Sequence, residues 1–312
     1  MRLEELRYGC ELETIKRERG TVARAIQSVV GGEVAHVGTP SCHDPWTVTD
    51  RLNRVWRVVA DSSLTSVPAN LRAEIVTPIL TYDDIAELQE VVRAVRKCGA
   101  QVDDGCGLHV HVGAESFDGK ALANLAKTFY KYEPLILPAL GVNEQRLRHY
   151  AKPLSSEFMA RLEKIRARSK SAVNKAWYGY TNNNPQHYCQ SRYQTLNLNA
   201  VWYLGTVEFR AAQATLHAGK VKATIQFCLA LCAKALNSRG ASSRKRQFDP
   251  TSAKYDMRVL MIHLGMIGPE FSSARKHMLA LMPGDAAWKR GRPKAKQPAS
   301  ENAVPMEVCC GA

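Results

Sequence analysis

The sequence predicts a protein that combines β-strands with α-helices, and two hydrophobic patterns indicate this. Short segments alternate apolar and polar residues, which is typical of half-buried strands because successive side chains point to opposite faces. Longer segments repeat apolar residues at spacings of three and four, which predicts amphipathic helices. With 312 residues, 45% of them hydrophobic and 23% charged, the chain has the size and composition for one large domain or two small ones.

The first predicted strand covers residues 6–14, where apolar side chains alternate with Glu11 and Glu13. Two carboxylates on one face of a strand repel each other unless a cation or a basic side chain lies between them. They are therefore either charges on an exposed edge strand or a pair of oxygen ligands for Mg²⁺ or Mn²⁺.

The same two patterns place the remaining elements along the chain. Helices are predicted over residues 20–30, 82–98, 120–140, 218–237, 252–264 and 269–282. Further strands are predicted within residues 33–60 and over residues 73–78, 106–113, 192–199 and 207–210.

Particular residues mark where these elements begin and end. Gly31 and Gly99 follow the last periodic residues of the first two helices, a position where glycine is common. Pro78 ends a strand because it has no N–H to donate to a ladder, and Pro134 is expected to bend or end the third helix. Asp61 and the two serines after it predict a turn, because their side chains bond to the local backbone.

The strand at residues 106–113 carries two histidines. His109 and His111 alternate with Leu108 and Val110, so the imidazoles share one face about 7 Å apart along the strand. Two histidines on a strand face are either solvated or, because neutral imidazole is a common metal ligand, part of a binding site.

Four more polar side chains lie on predicted strands. Glu74 is a third acid in strand-like sequence, and Glu208 shares a face with Arg210. That pair is either a structural ion pair or a metal ligand beside a phosphate-binding cation. Arg192 begins the strand at residues 192–199 and is a candidate clamp for substrate or phosphate.

Together, the predicted strand faces carry four carboxylates, two imidazoles and an arginine. Without bound cations, the carboxylates on such a surface would repel one another. Ligands rich in oxygen, with one or two histidines, suit Mg²⁺ or Mn²⁺ better than structural zinc. Divalent metals beside arginine and histidine indicate the handling of phosphoryl groups, whose charge such clamps stabilise.

The net charge of +14 favours anionic partners, which include nucleotide phosphates, acidic substrates and nucleic acid. Basic residues are dense over residues 144–175, where a helix would present either a solvated face or an anion-binding rim. Of the nine basic residues in this run, the seven that could cluster on a helix are Arg146, Arg148, Arg161, Lys164, Arg166, Arg168 and Lys170.

The last part of the chain differs in composition from the rest. Residues 284–312 are rich in Pro, Ala, Lys and Arg, so we expect a disordered basic tail after a folded domain of residues 1–283. Residues 289–294 resemble the AT-hook, a short motif of the DNA minor groove. Nucleic acid is therefore a possible partner of the tail, and a plain basic tail is the alternative.

Nothing in the sequence predicts a membrane association. The chain has no run of 18 apolar residues and its first residues lack the apolar segment of a secretory signal. The nine cysteines are odd in number and scattered, which predicts reduced thiols rather than a disulfide framework. We therefore expect a cytoplasmic protein.

In several of these segments the sequence resembles the amidoligase family of the glutamine synthetase and glutamate–cysteine ligase superfamily. The resemblance covers about residues 5–290, and its motifs occur in the family's order. They are Tyr8–Glu13, Asp61–Leu64, Glu74–Pro78, Cys106–Val112, Arg192–Tyr193 with Leu196–Leu198, Val207–Arg210 and residues 268–277. Ser62 stands where the family often has glycine, a departure outside the proposed metal ligands.

The resemblance implies an α+β fold in which helices cover the outer side of a curved antiparallel sheet, with ATP and metal ions on the concave face. It also implies roles for the residues above. His111 and Arg210 would contact the ATP phosphates, and Arg192 would hold substrate or phosphate. Two or three Mg²⁺ or Mn²⁺ ions would be held by Glu11, Glu13, Glu74, His109 and Glu208.

The implied reaction is the ATP-dependent joining of a carboxylate and an amine, from small-molecule or peptide substrates, through an acyl phosphate. Two alternatives come from other classes. One is a nucleic-acid-associated basic protein with a structural or degenerate metal site, and the other is a metal-dependent hydrolase that needs no ATP.

Overall fold

The computed structural model describes residues 1–39, 43–165 and 167–292, and an eight-stranded antiparallel sheet runs through this part of the chain. The strands are β1 Tyr8–Ile15, β2 Glu33–His36, β3 Trp46–Thr49, β4 Val55–Val59, β5 Arg72–Val76, β6 Leu108–Gly113, β7 Leu196–Asn197 and β8 Thr206–Phe209. Their order across the sheet is β2-β3-β4-β5-β1-β6-β8-β7, so β1 lies centrally between β5 and β6.

Ten α-helices accompany the sheet within the described residues. They are α1 Arg19–Val30, α2 Ile85–Lys97, α3 Gly119–Ala139, α4 Glu144–His149, α5 Ser156–Lys164, α6 Lys170–Tyr178, α7 Asn199–Tyr203, α8 Ala218–Asn237, α9 Ala253–His263 and α10 Ser272–Ala280. The combination of an antiparallel sheet with helices confirms the predicted mixture of strands and helices.

The apolar side chains of the central strands pack against helices. Leu12 of β1 and Leu108 of β6 lie beside Val91 of α2 and Val221 of α8, and all four side chains are buried. Burying a side chain of this size contributes about 1.5–3 kcal/mol to stability. Because alternate residues of a strand point to opposite faces, this packing leaves the polar residues of β1 and β6 on the other face of the sheet.

The strand predicted at residues 192–199 is mostly wrong. The chain forms a 3-10 turn over Gln190–Arg192, pairs with β8 only at Leu196–Asn197, and enters α7 at Asn199. The Asn197 side chain accepts a hydrogen bond from the backbone N–H of Asn199 at 2.9 Å. Such a local bond competes with the strand ladder and ends it.

Pro134 does not end its helix, since α3 continues through Pro134 and Pro138 to Ala139. The residues after Pro134, Leu135 and Ile136, are buried. Their burial offsets the roughly 3 kcal/mol that an internal proline costs a helix.

The basic run at residues 144–175 does not form a single helix face, because it is divided among α4, α5 and α6. Arg146 is buried, whereas Arg148 is exposed and pairs with Glu144. Arg161 donates a hydrogen bond to the carbonyl of Ala176 at 2.7 Å, so several of these charges serve the protein's own structure.

Three sequence predictions concern residues that the structure does not describe. Arg166 lies outside the described residues, and so does most of the predicted tail, which includes residues 293–312 and the end of the AT-hook-like segment. Among the residues that are described, no helix has both the length and the apolar character needed to cross a bilayer.

Candidate functional site

Strand register assembles the polar face of the sheet. Residues paired directly across antiparallel strands lie on the same face with their side chains side by side. The pairs of interest are Glu13 with Glu74, Glu11 with His109, and His111 with Glu208. Six of the predicted site residues therefore meet on β5, β1, β6 and β8.

Three groups of side chains bring possible metal-ligating atoms within 4.8 Å of one another. They are Glu11 with His111 and Glu208, Glu11 with Glu74 and His109, and Glu13 with Asp61 and Glu74. Glu11 belongs to two of the groups. Asp61 was predicted only as a turn residue, and its position in the third group is a finding of the structure.

His111 presents one free nitrogen to the acids. Its Nδ1 lies 3.0 Å from the Thr206 hydroxyl, which can accept the ring N–H. Its Nε2 lies 3.3 Å from Glu11 Oε1 and 3.7 Å from Glu208 Oε1, and is buried without a hydrogen-bond partner among the described residues. An imidazole that donates from one nitrogen and leaves the other free is typical of metal-binding histidine.

His109 is engaged on both sides of its ring. Its Nδ1 lies 2.9 Å from Glu11 Oε2, and its Nε2 lies 2.9 Å from Nη2 of Arg146. Because a guanidinium only donates, Nε2 accepts and the proton sits on Nδ1. Burial, together with the charge of Arg210, lowers the pKa of His109 to about 4, which keeps the ring neutral.

Glu208 is held in place by its neighbours. Arg210 donates a hydrogen bond to Oε1 and Asn197 donates one to Oε2, the latter at 2.6 Å. Burial alone would raise the pKa of Glu208, but Arg210 and His111 lower it to about 2. The carboxylate is therefore ionised, and the Glu208–Arg210 ion pair lies inside the cluster of candidate ligands.

The acids nearer β5 are shifted in the opposite direction. Burial, followed by the charge of Asp61, raises the pKa of Glu13 to about 7. Burial also raises the pKa of Glu74 well above its usual value, as do the charges of Glu11, Asp61 and Glu13. Carboxylates that lie this close to one another disfavour each other's ionisation, which raises their pKa values. A cation bound between them would lower those pKa values again.

Arg146 is a site residue that the sequence did not single out from its basic run. It is 1% exposed, and its Nε and Nη2 donate hydrogen bonds to the backbone carbonyl of Arg210 at 3.3 and 3.0 Å. The guanidinium packs on Gly107, where a Cβ atom would lie 2.1 Å from Nη2. Glycine at this position therefore permits the close approach.

Replacing Arg146 with methionine is expected to destabilise the protein by about 3 kcal/mol. The change removes several hydrogen bonds from a charged donor and leaves His109 Nε2 without its partner. Urea unfolding measures the effect. Arg148→Met, on the exposed side of the same helix, is the control and should shift stability by no more than about 0.5 kcal/mol. Equal shifts in the two variants would contradict a buried role for Arg146.

The acids line a cavity of about 320 Å³. Arg192 reaches this cavity, and its guanidinium lies 5.5 Å from the ring centre of Tyr188 and 5.6 Å from that of Tyr193. Arg192 forms no ion pair among the described residues. Its charge is held by aromatic faces and is available to an anion.

A second, open cavity of about 420 Å³ adjoins the first through His187 and Tyr188. His187 stacks on Tyr203 with ring centres 5.3 Å apart and planes 10° from parallel. Tyr188 is 70% exposed. The other lining residues are Tyr180, Asn182, Asn184, Gln186 and Cys189. The sequence patterns predicted no functional residue over residues 180–189.

The family described as "putative amidoligase enzyme" matches residues 4–232 of this chain, a span that includes every candidate ligand above. The chain belongs to this family. The resemblance inferred from the motifs is thereby confirmed.

No curated protein sequence matches this chain. Among solved structures, a bifunctional glutathione synthetase from Pasteurella multocida aligns over 89% of this chain and 47% of its own, with 12% identity and a TM-score of 0.39. The chain thus spans about half the length of that synthetase.

Proposed function

We propose that this amidoligase joins a carboxylate to an amine at the expense of ATP, through an acyl phosphate. The observation that carries the proposal is the row of acids and histidines across β5, β1, β6 and β8, with two arginines beside it. An oxygen-rich site that also holds buried guanidinium groups suits a triphosphate and its Mg²⁺ or Mn²⁺ ions. The glutamine synthetase-like curved sheet is part of the same proposal.

The candidate ligands fit divalent cations on two observations. The His111 Nε2 atom is buried, lacks a partner among the described residues, and points at Glu11 and Glu208. Close carboxylates with raised pKa values lie at the other end of the cluster. We therefore assign cation binding to Glu11, Glu13, Asp61, Glu74, His111 and Glu208.

This assignment gives the two histidines different roles from those that the family resemblance implied. Arg146 occupies Nε2 of His109, so we assign His109 to orienting Glu11 rather than to direct binding. His111 takes the place of a metal ligand rather than of a phosphate contact. When bound, the cations would neutralise charge between the attacking carboxylate and the phosphate.

The arginines and the aromatic cavity suit the nucleotide. Arg210 keeps its Nε without a partner among the described residues, and Arg192 has no acidic partner there, so both can donate to phosphate oxygens. The stacked rings of His187 and Tyr203 offer a face for a purine base, and Asn182 and Asn184 offer amides for its edge.

The proposed reaction has two steps that balance without a protein nucleophile. A carboxylate oxygen of the substrate attacks the γ-phosphorus, and the bond to the β,γ-bridging oxygen breaks, releasing ADP. The amine nitrogen then attacks the acyl carbon, phosphate leaves with the electron pair of the C–O bond, and the nitrogen loses a proton. Arg210 and Arg192 hold the transferring group throughout.

Calorimetric titration with ATP tests the proposal. We expect the wild type to bind ATP with Mg²⁺ present and at least about tenfold more weakly without it, because the phosphates and the acids repel each other in its absence. Glu208→Ala removes a candidate ligand and leaves Arg210 unpaired, so Mg²⁺-dependent binding should be lost.

The control is Glu144→Ala, which removes an exposed acid outside the cavity and should leave binding unchanged. A folded wild type that binds no ATP under either condition would overturn the ligase proposal. Binding that is insensitive to both Mg²⁺ and Glu208 would place the nucleotide elsewhere.

A further inference from the structure

The cavity of about 320 Å³ lies across several strands of the sheet, and it has one end near β4 and the other near β8. From β4 to β8 the sheet crosses β5, β1 and β6, so four inter-strand steps of about 4.8 Å place the two ends roughly 19 Å apart. The β8 end adjoins the aromatic cavity that we assigned to the nucleotide. The β4 end has no assigned substrate.

Arg57 stands at the β4 end. It pairs with Val76 of β5, which pairs in turn with Glu11 of β1, so all three residues lie in one row on the site face of the sheet. Arg57 lines the cavity, is exposed, and forms no ion pair or hydrogen bond with a described residue through its side chain. By contrast, Arg210 is paired with Glu208. No described residue therefore uses the N–H donors of Arg57.

The rest of this wall also carries unused donors. Ser62 and Ser63, in the turn that follows β4, line the cavity, and their hydroxyl groups form no hydrogen bond with another described residue. Val59 and Ala60 supply a short apolar surface between them. Glu13, Asp61 and Glu74 line the same cavity, and a cation held by them would give this end a second positive centre in addition to Arg57.

We propose that the β4 end binds the carboxylate substrate, and that this substrate carries a second anionic group that Arg57 binds. One anionic group would face the cation and react, while the guanidinium would hold the other through its fork of N–H donors. The substrate class is thus a dianion, with two carboxylates or a carboxylate and a phosphate. This inference rests on the proposed function, since that function assigns the β8 end to ATP.

The test uses dicarboxylates from malonate to pimelate, each beside its monoamide, which removes one charge at nearly constant size. Binding is measured by calorimetry with Mg²⁺ and a non-hydrolysable ATP analogue, in the wild type, Arg57→Gln and Arg57→Lys. Arg93→Gln, which removes an exposed arginine of α2, is the matched control.

We expect at least one dicarboxylate to bind the wild type about tenfold or more tightly than its monoamide. Arg57→Gln should abolish that preference, Arg57→Lys should restore part of it, and Arg93→Gln should keep it. Affinity for the ATP analogue should stay within about twofold in all variants.

Two results would overturn the inference. One is equal affinity for each dicarboxylate and its monoamide in the wild type. The other is a preference that survives in Arg57→Gln, or a loss of nucleotide affinity there instead, which would make Arg57 a phosphate ligand. A wild type that binds no nucleotide but keeps an Arg57-dependent dicarboxylate preference would reject the ligase proposal and leave this anion site standing.

Discussion

Glu11→Gln is expected to weaken Mn²⁺ binding at least about a hundredfold and to remove Mg²⁺-dependent ATP binding. Glu11 belongs to two of the three candidate ligand groups, and its oxygens lie 2.9 Å from His109 and 3.3 Å from His111. Exchanging this carboxylate for a neutral amide removes a charge that both groups share. Removing a residue that only hydrogen-bonds to a metal ligand lowers metal affinity about 10- to 100-fold. Removing a ligand that two groups share should therefore lower the affinity more than that.

Electron paramagnetic resonance of free Mn²⁺ measures the affinity directly and needs no substrate. Glu33→Gln, at an exposed position of the edge strand β2, is the matched control and should bind Mn²⁺ as the wild type does. Circular dichroism would establish that both variants are folded. If Glu11→Gln and Glu33→Gln bound the ion equally well, the cation site would have to be sought away from the polar face.

His111→Ala should reduce Mn²⁺ affinity more than about a hundredfold, whereas His109→Ala should reduce it by roughly tenfold. The difference follows from the free Nε2 of His111 and the Arg146-bound Nε2 of His109. His109→Ala should also lower stability, because it removes one of the buried hydrogen-bond partners of the Arg146 guanidinium.

The two histidine variants serve as controls for each other, since the same substitution is made two residues apart on β6. Titration with Mn²⁺ measures the affinity of each variant for the ion, and urea unfolding measures the stability of each variant. The reverse order of Mn²⁺ affinities would return His109 to the role of ligand and His111 to the phosphates.

Much of the site could be predicted because alternation assigns each strand residue to a face. Alternation placed Glu11 and Glu13 on one face of their strand and His109 and His111 on one face of theirs, and the structure brings the two pairs together on β1 and β6. Alternation gives no information on which strands are neighbours. The direct pairing of Glu13 with Glu74 follows from the antiparallel register of β1 and β5.

The parts that sequence patterns missed depend on contacts between distant segments. Arg146 looked like one charge in a basic run, yet α4 places it against His109 and the backbone of Arg210. Asp61 showed only its turn chemistry, and Arg57 showed only its place in a short strand. Likewise, the spacing of His109 and His111 shows that they share a face of the strand, but not which ring nitrogen is free to bind a metal. The free nitrogen is determined by contacts with Thr206 for His111 and with Arg146 for His109.

The direct pairing of acids and histidines across strands also bears on how the chain avoids misfolding. A slip of β1 by one residue would turn Glu11 and Glu13 toward the apolar side chains of α2 and α8. Each unpaired carboxylate buried there would cost several kcal/mol. The residues that build the site therefore also make incorrect strand pairings unfavourable, so removing their charges should relax the fidelity of folding as well as the chemistry.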